Sequence, residues 1–285
     1  VDLLWKPLHE KLINGDRFIL MFAPISRRYS QTLKAGPNGK TTEFVLNKLT
    51  FPKNVDDSVA YLREWQEVLP PCDSFIFDYH FMWDYIKEPG GFSFSRTLFE
   101  DMKNLDALGL NGMVSCQNQR VFHPTGLGMR AMAEALWDKE QSFEDVAARF
   151  YADAFGKYAP EVAAYLKKLS ETYPANAVRH DEELFTEDSA VRFDAAALFC
   201  ASFRPRLTEI AQLSKKEGAC VAQNFAVLLM HNCLTEQNAK LYAAHARGDE
   251  KKAKKEFNAL SKMANKFEDK MQTEFDMELY LQIVC

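Results

Sequence analysis

Apolar and polar residues follow two different periods in the first half of this chain. Near-continuous apolar runs of strand length predict three buried strands, at residues 17–25, 74–81 and 111–119. Apolar residues at helical spacing predict helices at residues 2–13, 55–69, 95–109 and 126–138. The pattern therefore alternates between strands and helices up to about residue 138.

The order of these elements predicts a parallel sheet, because parallel neighbours need a connection long enough to hold a helix. From Ser142 onward every segment has helical spacing, and Ser142 with Asp145 has the pattern of a capping box. We therefore expect an α/β first domain over residues 1–140 and a helical second domain over residues 141–285. Three strands cannot close a barrel, so the sheet is either open or the end of one.

Each predicted strand is followed by polar side chains. The first leads to Arg27 and Arg28, and the second to Asp78, Tyr79 and His80; the third leads to Gln117 and Asn118. Parallel strands end at the same edge of a sheet, and ligands commonly bind there. The sequence thus predicts a polar cleft formed by these residues, with no metal and no cofactor.

Two interpretations of Asp78 and His80 are open. Because side chains alternate along a strand, the two share one face and Tyr79 takes the other. They could contact a ligand as the catalytic residues, or they could be a hydrogen-bonded pair that satisfies buried groups. Arg27 or Arg28 could bind a ligand carboxylate, neutralise Asp78, or lie in solvent.

The remaining candidate residues also have two interpretations. Tyr79 and Trp83 could form an aromatic wall against the apolar face of a sugar ring, or the aromatic residues could plug the end of the sheet. The amides of Gln117 and Asn118 suit recognition of hydroxyl groups. The interpretation of these residues as ligand-binding would suit a carbohydrate, because a sugar has both an apolar face and hydroxyl groups.

Composition and charge narrow the function classes. The 285 residues are 47% apolar and carry a net charge of only -5, without a basic patch interleaved with aromatics, so we expect no nucleic-acid partner. No signal-like or membrane-spanning apolar segment is present in the sequence, so we expect no membrane partner. Six cysteines without close pairing are expected to be free thiols, which favours the cytoplasm.

Four stretches resemble an uncharacterised bacterial domain family that accompanies glycoside-hydrolase-type barrels. They are FIFDYHFMWDY (75–85), FEDMKNLDALGLNGMVSCQNQ (99–119), GLGMRAMAEALWD (126–138) and FEDVAARFYADAFGKYAPEVAAYLKKL (143–169). The family is similar to α-glucuronidase and β-hexosaminidase barrels. The resemblance implies the last strands of a β/α (TIM-type) barrel followed by an all-α domain, and it also makes secretion possible.

The resemblance implies a glycoside-hydrolase-like protein that acts on or binds a carbohydrate, and a carbohydrate bearing a uronic acid is one candidate. Most glycosidases need two carboxylates facing the scissile bond, and only Asp78 stands at a predicted strand end here. If the chain is a fragment, we expect an upstream barrel segment of the same protein to supply the catalytic pair; if it is whole, we do not expect enzymatic activity. The alternative is a catalytically silent carbohydrate-binding module or a structural interaction module.

Overall fold

The computed structural model describes residues 4–34, 36, 38–69 and 73–284. Helices dominate this part of the chain. Their bounds are α1 Val55–Val68, α2 Tyr85–Lys87, α3 Phe92–Lys103, α4 Leu127–Trp137, α5 Phe143–Phe155, α6 Ala159–Thr172, α7 Ala175–Val178, α8 Glu187–Leu213, α9 Ala219–Ala246, α10 Glu250–Met271 and α11 Met277–Ile283. A π-helical turn spans His80–Asp84.

Three parallel strands form one small sheet, as the order of elements predicted. They are β1 Leu20–Phe22, β2 Ser74–Asp78 and β3 Met113–Ser115, in the order β1-β2-β3. Met21 is opposite Phe75, and Phe77 is opposite Val114. Each strand is shorter than its apolar run, because apolar composition reports burial and does not by itself mark where strand pairing stops.

The prediction that this sheet is the end of a β/α barrel is wrong. The chain is mostly helical, and its sheet has three strands of three to five residues. A barrel needs a closed sheet in which each strand pairs on both sides. In the described part of the chain, the outer edges of β1 and β3 pair with no further strand.

The predicted first helix, at residues 2–13, is also wrong over its described residues. Residues 4–13 contain no helical turn. Pro7 lies in the middle of the apolar pattern, where it lacks the amide hydrogen that a helix interior needs. The segment is held instead by long-range contacts, since the Trp5 Nε1 donates to the Thr42 carbonyl at 2.6 Å and the Trp65 Nε1 donates to the Leu4 carbonyl at 3.2 Å.

The chain forms two compact units whose boundaries differ from the predicted division near residue 140. The first contains the described residues up to Met82 together with Thr97–Gln117, and therefore the whole sheet and α1. The second contains Trp83–Arg96 and the described residues from Asn118 onward. Within the second unit, α8 packs along α9, which also packs against α10.

The helical nature of the chain after Ser142 is confirmed in the described residues. Phe275 is the one position there with a strand-like contact, an isolated bridge to Val121. Ser142 caps α5 as predicted, because its Oγ accepts the Asp145 backbone N–H at 3.1 Å. Asn54 caps α1 in the same way, through Asp57 at 2.7 Å.

Two further sequence predictions concern membranes and cysteines. Among the helices of the described residues, none combines the length and apolar character needed to cross a membrane. Cys116, Cys200, Cys220 and Cys233 are free thiols. The other two cysteines, Cys72 and Cys285, lie outside the described residues.

Candidate functional site at the carboxyl end of the sheet

The side chains at the end of β2 lie in two different environments. Asp78 is the last residue of the strand, and His80 begins the π-helical turn. Both side chains are buried, whereas Tyr79 between them is half-exposed. The prediction that Asp78 and His80 share one face and Tyr79 takes the other is therefore confirmed.

Asp78 and His80 form a close hydrogen-bonded pair. Asp78 Oδ1 lies 2.7 Å from His80 Nδ1, and Asp78 Oδ2 accepts the His80 backbone N–H at 3.0 Å. Both carboxylate oxygens of Asp78 therefore contact His80, and these two contacts fix the backbone conformation where the strand ends. This geometry corresponds to the second of the two interpretations, a pair that satisfies buried groups.

Arg27 and Asp101 complete this group of charges. The Arg27 guanidinium donates through Nη2 to Asp101 Oδ2 and lies 3.9 Å from Asp78 Oδ1. Asp101 Oδ1 accepts the Leu33 backbone N–H at 2.5 Å. None of the four side chains Arg27, Asp78, His80 and Asp101 is more than 3% exposed. We refer to these four residues as the buried charge cluster.

Burial and neighbouring charge act against each other in the buried charge cluster. Burial alone would raise the pKa of Asp78, but His80 and Arg27 stabilise its carboxylate and hold the pKa below its ordinary value. At Asp101 burial dominates and raises the pKa, although Arg27 and His80 oppose it. Burial would lower the pKa of Arg27, yet Asp101, Tyr29 and Asp78 raise it.

The buried charge cluster joins separate segments of the first unit. Arg27 follows β1, Asp78 ends β2, and Asp101 lies on α3. The guanidinium carbon of Arg27 also lies 4.6 Å from the centre of the Tyr29 ring. Because these groups are enclosed, the described conformation gives Asp78 and His80 no surface with which to contact a substrate.

Three of the predicted site residues remain accessible in the first unit. Arg28 and Tyr79 are half-buried, and Gln117 is exposed. They follow β1, β2 and β3, so they share the edge at which the parallel strands end. We refer to Arg28, Tyr79 and Gln117 as the strand-end rim. Burial raises the pKa of Tyr79, and Cys116 and Asp78 act in the same direction, so its hydroxyl is neutral at physiological pH.

Comparison with known proteins gives no family. No family model, curated protein or solved structure matches this chain. The resemblance carried by DALGLNG and the neighbouring stretches stays a prediction, and so does the function that it implies. A function for this chain must therefore be inferred from its residues and their geometry.

The predicted site residues are divided between the two units. Trp83 and Asn118 belong to the second unit. There the Asn118 amide lies 3.5 Å from the Tyr85 hydroxyl, and Trp83 is half-buried. A cavity of about 290 Å³ in the first unit lies between α1 and the residues Gly36, Gly39 and Thr41, and no predicted site residue is among its described lining residues.

Sequence reasoning missed Asp101, although the chain contains a signal for it. Leu98, Met102 and Leu105 form the apolar stripe of the helix predicted at residues 95–109, and Asp101 falls within that stripe at helical spacing. A carboxylate on the buried side of a helix needs a partner, so its position indicates a buried cation. Across the described residues, no three His, Cys, Asp or Glu side chains are grouped so that they could hold a metal ion.

Proposed function

We propose that this chain binds a carbohydrate through the strand-end rim and that the buried charge cluster supports the rim structurally. Tyr79 carries the proposal. Its half-buried ring stands where β2 ends, and the ring of Phe77 lies 5.3 Å from it, tilted by 60°. An aromatic ring with a polar tip suits a sugar, which has an apolar face and a rim of hydroxyl groups.

The other two rim residues supply complementary chemistry. The Gln117 amide has both donors and an acceptor, which matches the hydroxyl groups of a sugar. The Arg28 guanidinium can donate two parallel hydrogen bonds to a carboxylate, so a uronic acid is the sugar class that it favours. The neutral hydroxyl of Tyr79 can act as a further donor and acceptor.

Binding has more support than hydrolysis. Glycoside hydrolysis generally needs two carboxyl groups facing the bond to be cleaved. In this region Asp78 and Asp101 are enclosed and engaged with Arg27, His80 and Leu33. The rim itself contains an aromatic hydroxyl, an amide and a guanidinium, and none of these is a carboxyl group.

Isothermal titration calorimetry with uronic-acid oligosaccharides and neutral oligosaccharides tests this proposal. Tyr79→Ala removes the stacking ring and should weaken binding of both classes by about tenfold, which corresponds to about 1.4 kcal/mol. Arg28→Lys should weaken only the uronic-acid ligand, because lysine cannot form the two-bond fork.

Trp137→Ala is the matched control, since Trp137 is an exposed aromatic side chain on α4 outside the rim. Its affinities should equal those of the unaltered chain. Absence of binding to either ligand class, or an equal loss in Trp137→Ala and Tyr79→Ala, would contradict the proposal.

A further inference from the structure

Four lysines form a row along one side of α10, the helix that spans Glu250–Met271 in the second unit. They are Lys251, Lys255, Lys262 and Lys266. At about 100° and about 1.5 Å per residue, they fall within about 60° of the helix circumference and extend over about 22 Å. All four are exposed, whereas the buried residues Leu260 and Ala264 lie on the opposite side of the helix. We refer to these four residues as the lysine row.

The lysine row lacks the acidic partners that other basic residues of the second unit have. Arg130 Nε lies 2.6 Å from Glu134 Oε1, and Arg206 Nε lies 2.8 Å from Glu161 Oε1. Across the described residues, no carboxylate forms an ion pair with a lysine of the row, and none of the four ammonium groups donates a hydrogen bond to another residue. The charges of the lysine row therefore face solvent without compensation from the protein.

The arrangement of the lysine row also opposes the stability of α10. Lys251 and Lys255 are four positions apart, as are Lys262 and Lys266, and like charges at this spacing on a helix repel each other. Within α10, the acidic residue in line with the row is Asp269, which lies beyond its C-terminal end. In a chain with a net charge of -5, such a row of unpaired positive charges indicates a partner that presents negative charges along its length.

The chemistry of the lysine row distinguishes among such partners. Surfaces that bind nucleic acids combine positive charge with arginine and with aromatic rings that stack on bases, and the row contains neither. A helix that lies on a lipid surface buries its apolar face there, but the apolar face of α10 packs against the protein, where α9 is its neighbour. A polymer of uronic acids needs only the charges, because an ammonium group is a point charge that accepts carboxylates in varied orientations.

We propose that the lysine row binds a polysaccharide that carries a carboxylate on successive sugars. The choice of a uronic-acid polymer rests on the proposed function, in which Arg28 of the strand-end rim favours the same sugar class. The lysine row belongs to the second unit and the rim to the first, so the two are separate sites. The row contributes an attraction that salt weakens, and the rim contributes recognition of individual sugars.

Isothermal titration calorimetry with polygalacturonate, a uronic-acid polymer, tests this inference on the whole chain at about 50 and about 200 mM salt. All proteins in this test carry Tyr79→Ala, so that binding at the rim does not obscure the result. Polygalacturonate should bind to this chain more tightly at the lower salt concentration, and neutral dextran should not bind.

The row variant combines Lys251→Gln, Lys255→Gln, Lys262→Gln and Lys266→Gln, and glutamine keeps a helix propensity close to that of lysine. At the lower salt concentration it should bind polygalacturonate at least about tenfold more weakly, because four charge contacts are lost. Its remaining affinity should also depend less on salt. Circular dichroism should show an unchanged helical content.

The matched control removes the same number of charges from four other exposed lysines of the second unit. It combines Lys167→Gln, Lys168→Gln, Lys215→Gln and Lys216→Gln. Its affinity for polygalacturonate should stay within about twofold of that of the chain with all of its lysines, because loss of net charge alone acts weakly at a distance.

The inference is overturned if the row variant and the matched control bind polygalacturonate equally well, or if the polymer does not bind in the Tyr79→Ala background. It is also overturned if single-stranded DNA or phosphatidylserine vesicles bind to the lysine row more tightly than polygalacturonate does. Failure of the rim is read separately, because the short oligosaccharides used above test Tyr79 in a chain that keeps all four lysines.

Discussion

Arg27 lies between two enclosed carboxylates in the first unit, those of Asp78 and Asp101, and its neighbour Arg28 lies partly in solvent. Adjacent residues of identical chemistry thus have different roles. The sequence Arg27-Arg28 does not indicate which of the two arginines is buried. The difference is set by Asp101, which reaches Arg27 from a helix that begins far along the chain.

Replacing Arg27 tests the structural role of the buried charge cluster. Arg27→Met keeps much of the side-chain volume but leaves Asp78 and Asp101 enclosed without their cation, which should lower the free energy of unfolding by about 3 to 5 kcal/mol. Urea denaturation followed by circular dichroism measures this change. Arg28→Met is the control and should alter stability by less than about 1 kcal/mol; equal losses in the two variants would refute the assignment.

Two enclosed histidines lie together in the second unit. The rings of His123 and His231 are 4.7 Å apart, and His123 also stacks on Phe275 at 3.8 Å. Thr235 Oγ1 lies 3.1 Å from His231 Nε2. Burial lowers the pKa of His231 to about 4, although a hydrogen bond with the Pro89 backbone favours the charged ring. Burial and His231 also lower the pKa of His123.

These lowered pKa values predict acid sensitivity. Unfolded histidine has a pKa of about 6.5, so the unfolded chain binds protons first and stability falls as the pH drops from about 6.5 to about 4, by about 3 kcal/mol for His231. Urea denaturation measures the free energy of unfolding at pH 7 and pH 4.5. Between these pH values it should fall less for His231→Gln than for the unaltered chain. His9→Gln is the control, since His9 is exposed; an identical pH dependence in all three proteins would contradict the prediction.

At the scale of single elements, the start of α5 was predicted well because its signal is local. Ser142 lies directly before α5, and its hydroxyl and the Asp145 backbone are only three residues apart. Strand lengths were predicted less well, because pairing depends on a partner strand distant in sequence. The predicted strand at residues 17–25 pairs only over Leu20–Phe22.

The cap of α5 gives a test at this scale. Ser142→Ala removes the acceptor for the Asp145 backbone N–H and should lower the free energy of unfolding by about 1 kcal/mol. Ser142→Asp retains an acceptor and should remain within a few tenths of a kcal/mol of the unaltered chain. Thermal denaturation of the three proteins checks both values, and a neutral effect of Ser142→Ala would show that the cap is unimportant for α5.

At the scale of the whole molecule, the sequence predicted the parallel sheet and the helical remainder but not the extent of the sheet. Periodicity reports which residues are buried, and it does not report how many strands come together. The same limit applied at the candidate site. Strand ends pointed to Asp78 and His80, but their neighbour Asp101 lies on α3, and its pairing with Arg27 follows from a contact between distant parts of the chain.

The separation of Arg27 and Asp101 along the chain has a consequence for folding kinetics. The two residues are 74 positions apart, so their contact forms only after a long loop has closed at an entropic cost. Contacts of this kind tend to be completed after the transition state and to slow unfolding more than they speed folding. Asp101→Asn should therefore accelerate unfolding in stopped-flow denaturant jumps and leave the refolding rate nearly unchanged. A slowed refolding limb would instead place this contact in the folding nucleus, so that the closure of the first unit around Arg27 would be the step that commits the chain to its fold.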